Sequence, residues 1–179
     1  MLYFVAVFCC SERMTSMTIT DEQRMKNFLR LVNSRWRMRL FLLWKLPAAW
    51  FVGISVRSCD GEKAVVRLPY GWRSQNPFRS TYFAAQCAAG ELSTGILALA
   101  HLQDKPPVSM LVTRVEAEFL KKASDVLLFT CEDGKAMEET VKKALETGEP
   151  QIFRATSIGR LPDGTEAARI WITWSFKRK

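Results

Sequence analysis

Residues 80–101 restrict the fold more than any other part of the chain. Ala84, Ala85, Ala89, Leu92, Ile96, Leu97 and Leu99 recur so densely that they cover every side of a helical cylinder. A helix without a polar face belongs inside a protein, so the other elements must surround it. Pro77 forbids helix before it, Ser80 or Thr81 is expected to cap its start, and the run 103–107 closes it. Its first backbone N–H groups then face the segment around Asn76, Tyr82 and Phe83, a natural place for an oxyanion or a polarised carbonyl. One acid, Glu91, interrupts the apolar run. A carboxylate there is either bonded to a backbone group or an arginine, or left desolvated and reactive, and both readings stay open on pattern alone.

The 179 residues suit one core, and no repeat or low-complexity linker divides them. A hydrophobic share of 48% beside 25% charged residues is that of a soluble globular domain, and no segment has the roughly 20 uninterrupted apolar residues of a membrane span. A single domain is expected over 20–179, preceded by an extension over 1–19, with Met14 and Met17 as alternative starts. The apolar opening lacks the basic leader and cleavage site of a signal peptide; a short hydrophobic anchor is its other reading. Cys9, Cys10, Cys59, Cys87 and Cys131 have neither metal-ligand nor disulfide spacing, which points to a reducing, cytoplasmic setting and no metal. The single histidine, His101, ends the apolar helix, where a cation suits the helix dipole.

The net charge of +8 is concentrated in residues 24–45 and in the tail. It is compatible with nucleic acid, an anionic membrane surface or a phosphate-bearing small molecule, although a solvated helix face is the simpler expectation for the arginines. No stacking platform or nucleic-acid motif accompanies it, so no nucleic-acid partner is expected.

Thr20 with Gln23 forms a capping box for a basic amphipathic helix, in which Met25, Phe28, Leu29, Val32, Trp36 and Leu40 recur at helical spacing up to Pro47. Residues 51–58 and 63–70 are expected to pair as a hairpin across Asp60-Gly61. After the apolar helix, 110–121 alternates, with Leu111, Thr113, Val115, Ala117 and Phe119 on one face and Arg114, Glu116 and Glu118 on the other. A strand over 126–131, a short helix over 135–147 and a hairpin of 152–159 with 166–177 complete the order. The class is α+β: an antiparallel sheet wrapped around one long helix, the hotdog architecture. The half-exposed strand 110–121 calls for cover by a second subunit, so a homodimer is expected, and pairing of dimers into a tetramer stays open.

From about residue 20 onward the chain resembles the hotdog thioesterases, and in detail the domain-of-unknown-function 4442 branch, near the phenylacetate-degradation type. The likeness rests on element order and on Gln75-Asn76-Pro77-Phe78-Arg79-Ser80-Thr81-Tyr82-Phe83-Ala84-Ala85. In active members an Asn precedes a Gly-Thr-x-His-Gly-Gly run, and an acid follows on the central helix; Asn76 and Glu91 match these positions. A polar residue opening the next strand, supplied by the partner subunit in some members, corresponds to Ser109. Tyr82-Phe83-Ala84 replaces His-Gly-Gly, which obstructs the close backbone approach that glycine permits.

The resemblance implies hydrolysis of an acyl thioester carried on coenzyme A or an acyl carrier protein, with coenzyme A as part of the substrate and no other cofactor. Glu91 would act as general base or nucleophile, Asn76 would hold the acid or the water, and the Phe83 N–H would polarise the carbonyl. Arg79, Lys121 and Lys122 are candidates for the coenzyme's phosphates, while Tyr82 and Phe83 would shape the acyl pocket. The alternative is an acyl or acyl-CoA binding protein without turnover, with Glu91 neutral or paired to Arg79 or Arg73.

Overall fold

Asn33 and Ser34 end the first helix before its apolar pattern does. The structure, a computed structural model, describes residues 21–103 and 105–179, and the expectations for 1–19 and for Thr20 as a cap lie outside them. Three helices replace the one expected: α1 (Asp21–Asn33), α2 (Arg35–Lys45) and α3 (Pro47–Val52). Ser34 is extended, and the Asn33 amide, which also donates to the Leu29 carbonyl of its own helix at 2.9 Å, bonds across the fold. Its Nδ2 donates to the Cys59 carbonyl at 2.7 Å, and its Oδ1 accepts from the Cys59 N–H at 2.8 Å, as a neighbouring strand would. The break resets the helical phase. Phe28 and Val32 are buried on α1, but on α2 the inward residues are Met38 and Leu42, so Trp36 and Leu40 face solvent instead of the core. Pro47 starts α3, because the missing N–H costs nothing in a first turn. Phe51 and Val52, expected in a strand, are therefore helical.

The strands are β1 (Ser55–Cys59), β2 (Ala64–Leu68), β3 (Val108–Phe119), β4 (Leu127–Cys131), β5 (Gln151–Arg160) and β6 (Glu166–Arg178). They form one antiparallel sheet in the order β1-β2-β4-β5-β6-β3. In the β1–β2 turn, Asp60 Oδ1 accepts from the Glu62 and Lys63 N–H groups, and Gly61 takes a left-handed φ of 99°. The long helix α4 (Phe83–His101) crosses β2, β4, β5 and β6 on one face. α5 (Gly134–Thr147) packs beside it on β5 and β6. This is the hotdog arrangement.

Contact between α4 and the sheet is close because the sequence puts small residues there. A Cβ on Gly90 would fall 2.9 Å from that of Ile170 on β6. The helix's internal hydroxyls are satisfied by its own carbonyls and by the sheet. Ser93 Oγ donates to the Gly90 carbonyl and so accepts from Ser157 Oγ at 2.7 Å. Thr94 Oγ1 donates to the Glu91 carbonyl and accepts from Trp174 Nε1 at 3.1 Å. His101 Nε2 donates to the buried Gly61 carbonyl at 2.8 Å, tying the end of α4 to the first hairpin.

Gly134 closes the same corner. A Cβ there would collide with the Gly61 carbonyl and come within 2.5 Å of Glu62 Cα, and backbone atoms yield little. Gly134→Ala is expected to cost about 3 kcal/mol in urea unfolding. A loss under about 0.5 kcal/mol would mean that the turn moves aside freely.

β3 departs from its expected faces. A bulge between Val112 and Arg114 shifts the register against β6, so Val112 lies opposite Trp174, while Val115, Ala117 and Phe119 lie opposite Ile172, Ile170 and Ala168. Directly opposed residues share a face, so Met110, Val112, Val115, Ala117 and Phe119 belong to the helix side of the sheet. Leu111, expected with Val115, lies on the other side. Val115 and Phe119 are nonetheless 50% and 46% exposed, since α4 stops short of this edge strand.

Candidate functional site

The segment leading into α4 is held by its own backbone and by one amide. The N–H of Thr81 donates to the Ala123 carbonyl and that of Tyr82 to the Ser74 carbonyl, both at 2.7 Å. Asn76 Oδ1 accepts from the Phe78 N–H, the Ser80 N–H and Ser80 Oγ at 3.0, 3.2 and 3.1 Å. Two backbone donors on one atom identify it as the oxygen, which leaves Asn76 Nδ2 without a partner among the described residues. Arg79 closes this turn at φ 56°, a left-handed conformation, with its side chain exposed.

Thr81 spends its hydroxyl on the Ala123 carbonyl, so neither it nor Ser80 caps the helix. Tyr82 is the N-cap, without a side-chain hydrogen bond, and α4 begins at Phe83. The N–H groups of the first turn therefore have no intrahelical acceptor and carry the positive end of the helix dipole.

Beside them lies a cavity of about 310 Å³, lined among others by Asn76, Phe83, Gln86, Phe119, Lys121 and Lys122. Gln86 is a residue that sequence reasoning missed. It is 5% exposed; its Nε2 donates to the Thr81 carbonyl at 3.0 Å, while its Oε1 has no partner among the described residues. A buried acceptor in this state calls for a donor from whatever occupies the cavity. The only sequence signal was a lone amide in the first turn of an apolar helix. Tyr82, Phe83 and Phe119 stack edge to face along the mouth, with centroid distances of 4.8 and 6.3 Å.

Glu91 lies two turns further along α4, outside this lining. Its carboxylate makes no hydrogen bond or ion pair with any described residue, Arg73 and Arg79 included, unlike Ser93, Thr94 and His101 on the same helix. Oε1 lies 3.4 Å from the point a Cβ on Gly95 would occupy, and the Trp174 ring borders the same point. Burial, with no compensating cation, pushes its pKa above the usual carboxylate range. Cys87, one turn before it, is likewise pushed up by burial and is a poor thiolate source. Ser109 is exposed and opposite Lys177, on the face of the sheet away from α4, so the single chain does not bring it to Glu91. Among the described residues no group of His, Cys, Asp and Glu is arranged to hold a metal.

Because folding raises the proton affinity of Glu91, the folded protein binds this proton more tightly than the unfolded chain. The charged form is therefore penalised above the folded value, and the penalty vanishes below the ordinary value of 4.5. Glu91→Gln should raise the melting temperature at pH 7, with the gain disappearing near pH 4. An equal gain at both pH values would show that desolvated charge is not the cause.

A family model described as Domain of unknown function (DUF4442) matches residues 34–175. No curated protein matches the chain in sequence. Solved structures match in fold. A Shewanella oneidensis protein provisionally assigned as a thioesterase aligns with a TM-score of 0.68 at 12% identity, covering 86% of this chain and 99% of that one. A Haemophilus influenzae thioesterase gives 0.59 at 12%, covering 81% and 91%. A Staphylococcus aureus thioesterase gives 0.54 at 17%, covering 70% and 94%. Two variants of that last protein were solved, with alanine in place of a glutamine and of a glutamate fifteen positions apart.

Proposed function

Since the chain belongs to the DUF4442 family, a hotdog fold, we propose that it hydrolyses acyl thioesters, with Glu91 as general base. The observation that carries this reading is the desolvated, unpartnered Glu91 carboxylate on the helix whose free N-terminus opens into the Asn76–Phe83–Gln86 cavity. Asn76 and Glu91 stand fifteen positions apart, the spacing of the two residues replaced in the Staphylococcus aureus thioesterase.

In this mechanism the thioester carbonyl oxygen sits against the Phe83 N–H and Asn76 Nδ2, donors aimed where negative charge develops. Glu91 removes a proton from water as its oxygen bonds to the carbonyl carbon. The tetrahedral intermediate then expels the thiolate, which takes that proton from Glu91, leaving carboxylic acid and free thiol. A base whose proton affinity has been raised by burial accepts protons better near neutral pH. The bulk of Phe83 does not block its own N–H, because the ring lies 54% exposed against Tyr82 and Phe119. Lys121 and Lys122 at the cavity supply cations for the coenzyme's phosphates, and Arg79 stands exposed in the turn before it.

Two copies complete such a site. Phe83 and Glu91 are eight residues apart, about 12 Å along the helix axis, too far for both to reach one carbonyl carbon. A twofold partner docked on the uncovered apolar side of β3 would run its α4 antiparallel to the first, bringing each Glu91 toward the partner's Phe83 end. It would also bury Val115 and Phe119.

Release of free thiol from a panel of acyl-CoA substrates, with mass spectrometry of the purified protein, tests the function. Turnover on at least one chain length is the expected result. Retained acyl ligand with every thioester intact would instead establish an acyl-binding protein.

A further inference from the structure

Helix α2 carries apolar residues on two faces, and only one of them has a place in the fold. Met38 and Leu42 point inward at 4% and 2% exposure, while Trp36, Leu40, Leu43 and Trp44 stand at 71%, 37%, 44% and 79%. At 3.6 residues per turn these four fall within an arc of about 100°, with Arg37 on one flank and Arg39 on the other. The helix has four basic residues, Arg35, Arg37, Arg39 and Lys45, and no acid. It packs beside β1, at the opposite edge of the sheet from β3, so assembly through β3 leaves the stripe open.

We propose that α2 docks the protein on an anionic bilayer surface, lying in the interface with Trp36, Leu40, Leu43 and Trp44 among the upper acyl chains and Arg37 and Arg39 on lipid headgroup phosphates. A convex stripe bounded by two indoles suits the boundary between headgroups and hydrocarbon, where tryptophan is favoured. Arginine stems on either side cover hydrocarbon while the Arg37 guanidinium, and that of Arg39 on leaving the Trp50 ring 5.5 Å below it, reach phosphate, and the helix offers nothing that repels an anionic surface. Nucleic acid would engage the cations but leave the leucines in water. The stripe stands apart from the Glu91 site, so the proposal holds whether that site hydrolyses or only binds.

The test is sedimentation of the full chain with vesicles of phosphatidylcholine alone or mixed with phosphatidylglycerol. Partitioning is expected to be at least about tenfold stronger with the anionic lipid and to weaken with salt. Trp36→Ser with Trp44→Ser, and separately Arg37→Gln with Arg39→Gln, should each lower it about tenfold or more, with unchanged circular dichroism because these side chains are exposed. Quenching of tryptophan emission by brominated lipid should fall with the first pair. Wild-type protein that stays in solution with both vesicle types overturns the proposal. So does a tryptophan double variant that sediments as well as wild type, which would assign binding to another segment such as residues 1–19. Lipid-free association of wild type that this variant abolishes also overturns it, in favour of a second copy as occupant.

Discussion

Glu91→Gln is expected to lower kcat for thioester hydrolysis by about 10² to 10⁴-fold, the range supplied by a positioned general base. Glutamine keeps the shape and the hydrogen-bonding capacity of the side chain and removes only the ability to take a proton. Loss of folding cannot explain the defect, because the charge it removes is one the folded state penalises. The wild-type profile carries the same signature: kcat/KM falls as pH drops through the raised pKa of Glu91, with an inflection above the ordinary value of 4.5. Rates measured for both proteins across pH 4 to 9 check this. A variant within about threefold of wild type would remove Glu91 from the chemistry.

Asn76→Asp is expected to cost about 10² to 10³-fold in kcat with little change in KM, as when one oxyanion donor is lost. Aspartate retains an oxygen for the Phe78 and Ser80 N–H groups, so the turn before α4 survives. It replaces the unpartnered Nδ2 with a second oxygen, which repels the developing negative charge. The stability of the variant should match or exceed that of wild type, since an added anion beside a helix N-terminus is favourable. A raised KM with kcat intact would assign Asn76 to ground-state binding instead.

The apolar helix was legible because its composition admits one location, and the succession of strands along the chain followed from alternation and from turns such as Asp60-Gly61. Asn76 was legible as an amide ahead of a helix start, and Glu91 as the one acid within the apolar run. What escaped the pattern was set by long-range hydrogen bonds and register. The helical pattern runs on to Pro47, yet the helix ends at Asn33, whose side chain pairs with Cys59 across the fold, and Trp36 and Leu40 turn outward. The bulge after Val112 moves one residue and thereby separates Leu111 from Val115, which no alternation reveals. Thr81 has the chemistry of a cap, but the Ala123 carbonyl takes its hydroxyl. Gln86 was invisible as a site residue because only the packed structure shows that its oxygen is buried and unanswered.

The claim on which the mechanism turns is that the base and the oxyanion donors of each site come from different copies of the chain. Two inactive chains, Asn76→Asp and Glu91→Gln, co-expressed with different tags and purified as the doubly tagged dimer, test it. One of the two sites in that mixed dimer then combines an intact Asn76 with an intact Glu91, so about half of wild-type thiol release is expected. A mixed dimer as inactive as either parent would contradict the shared site.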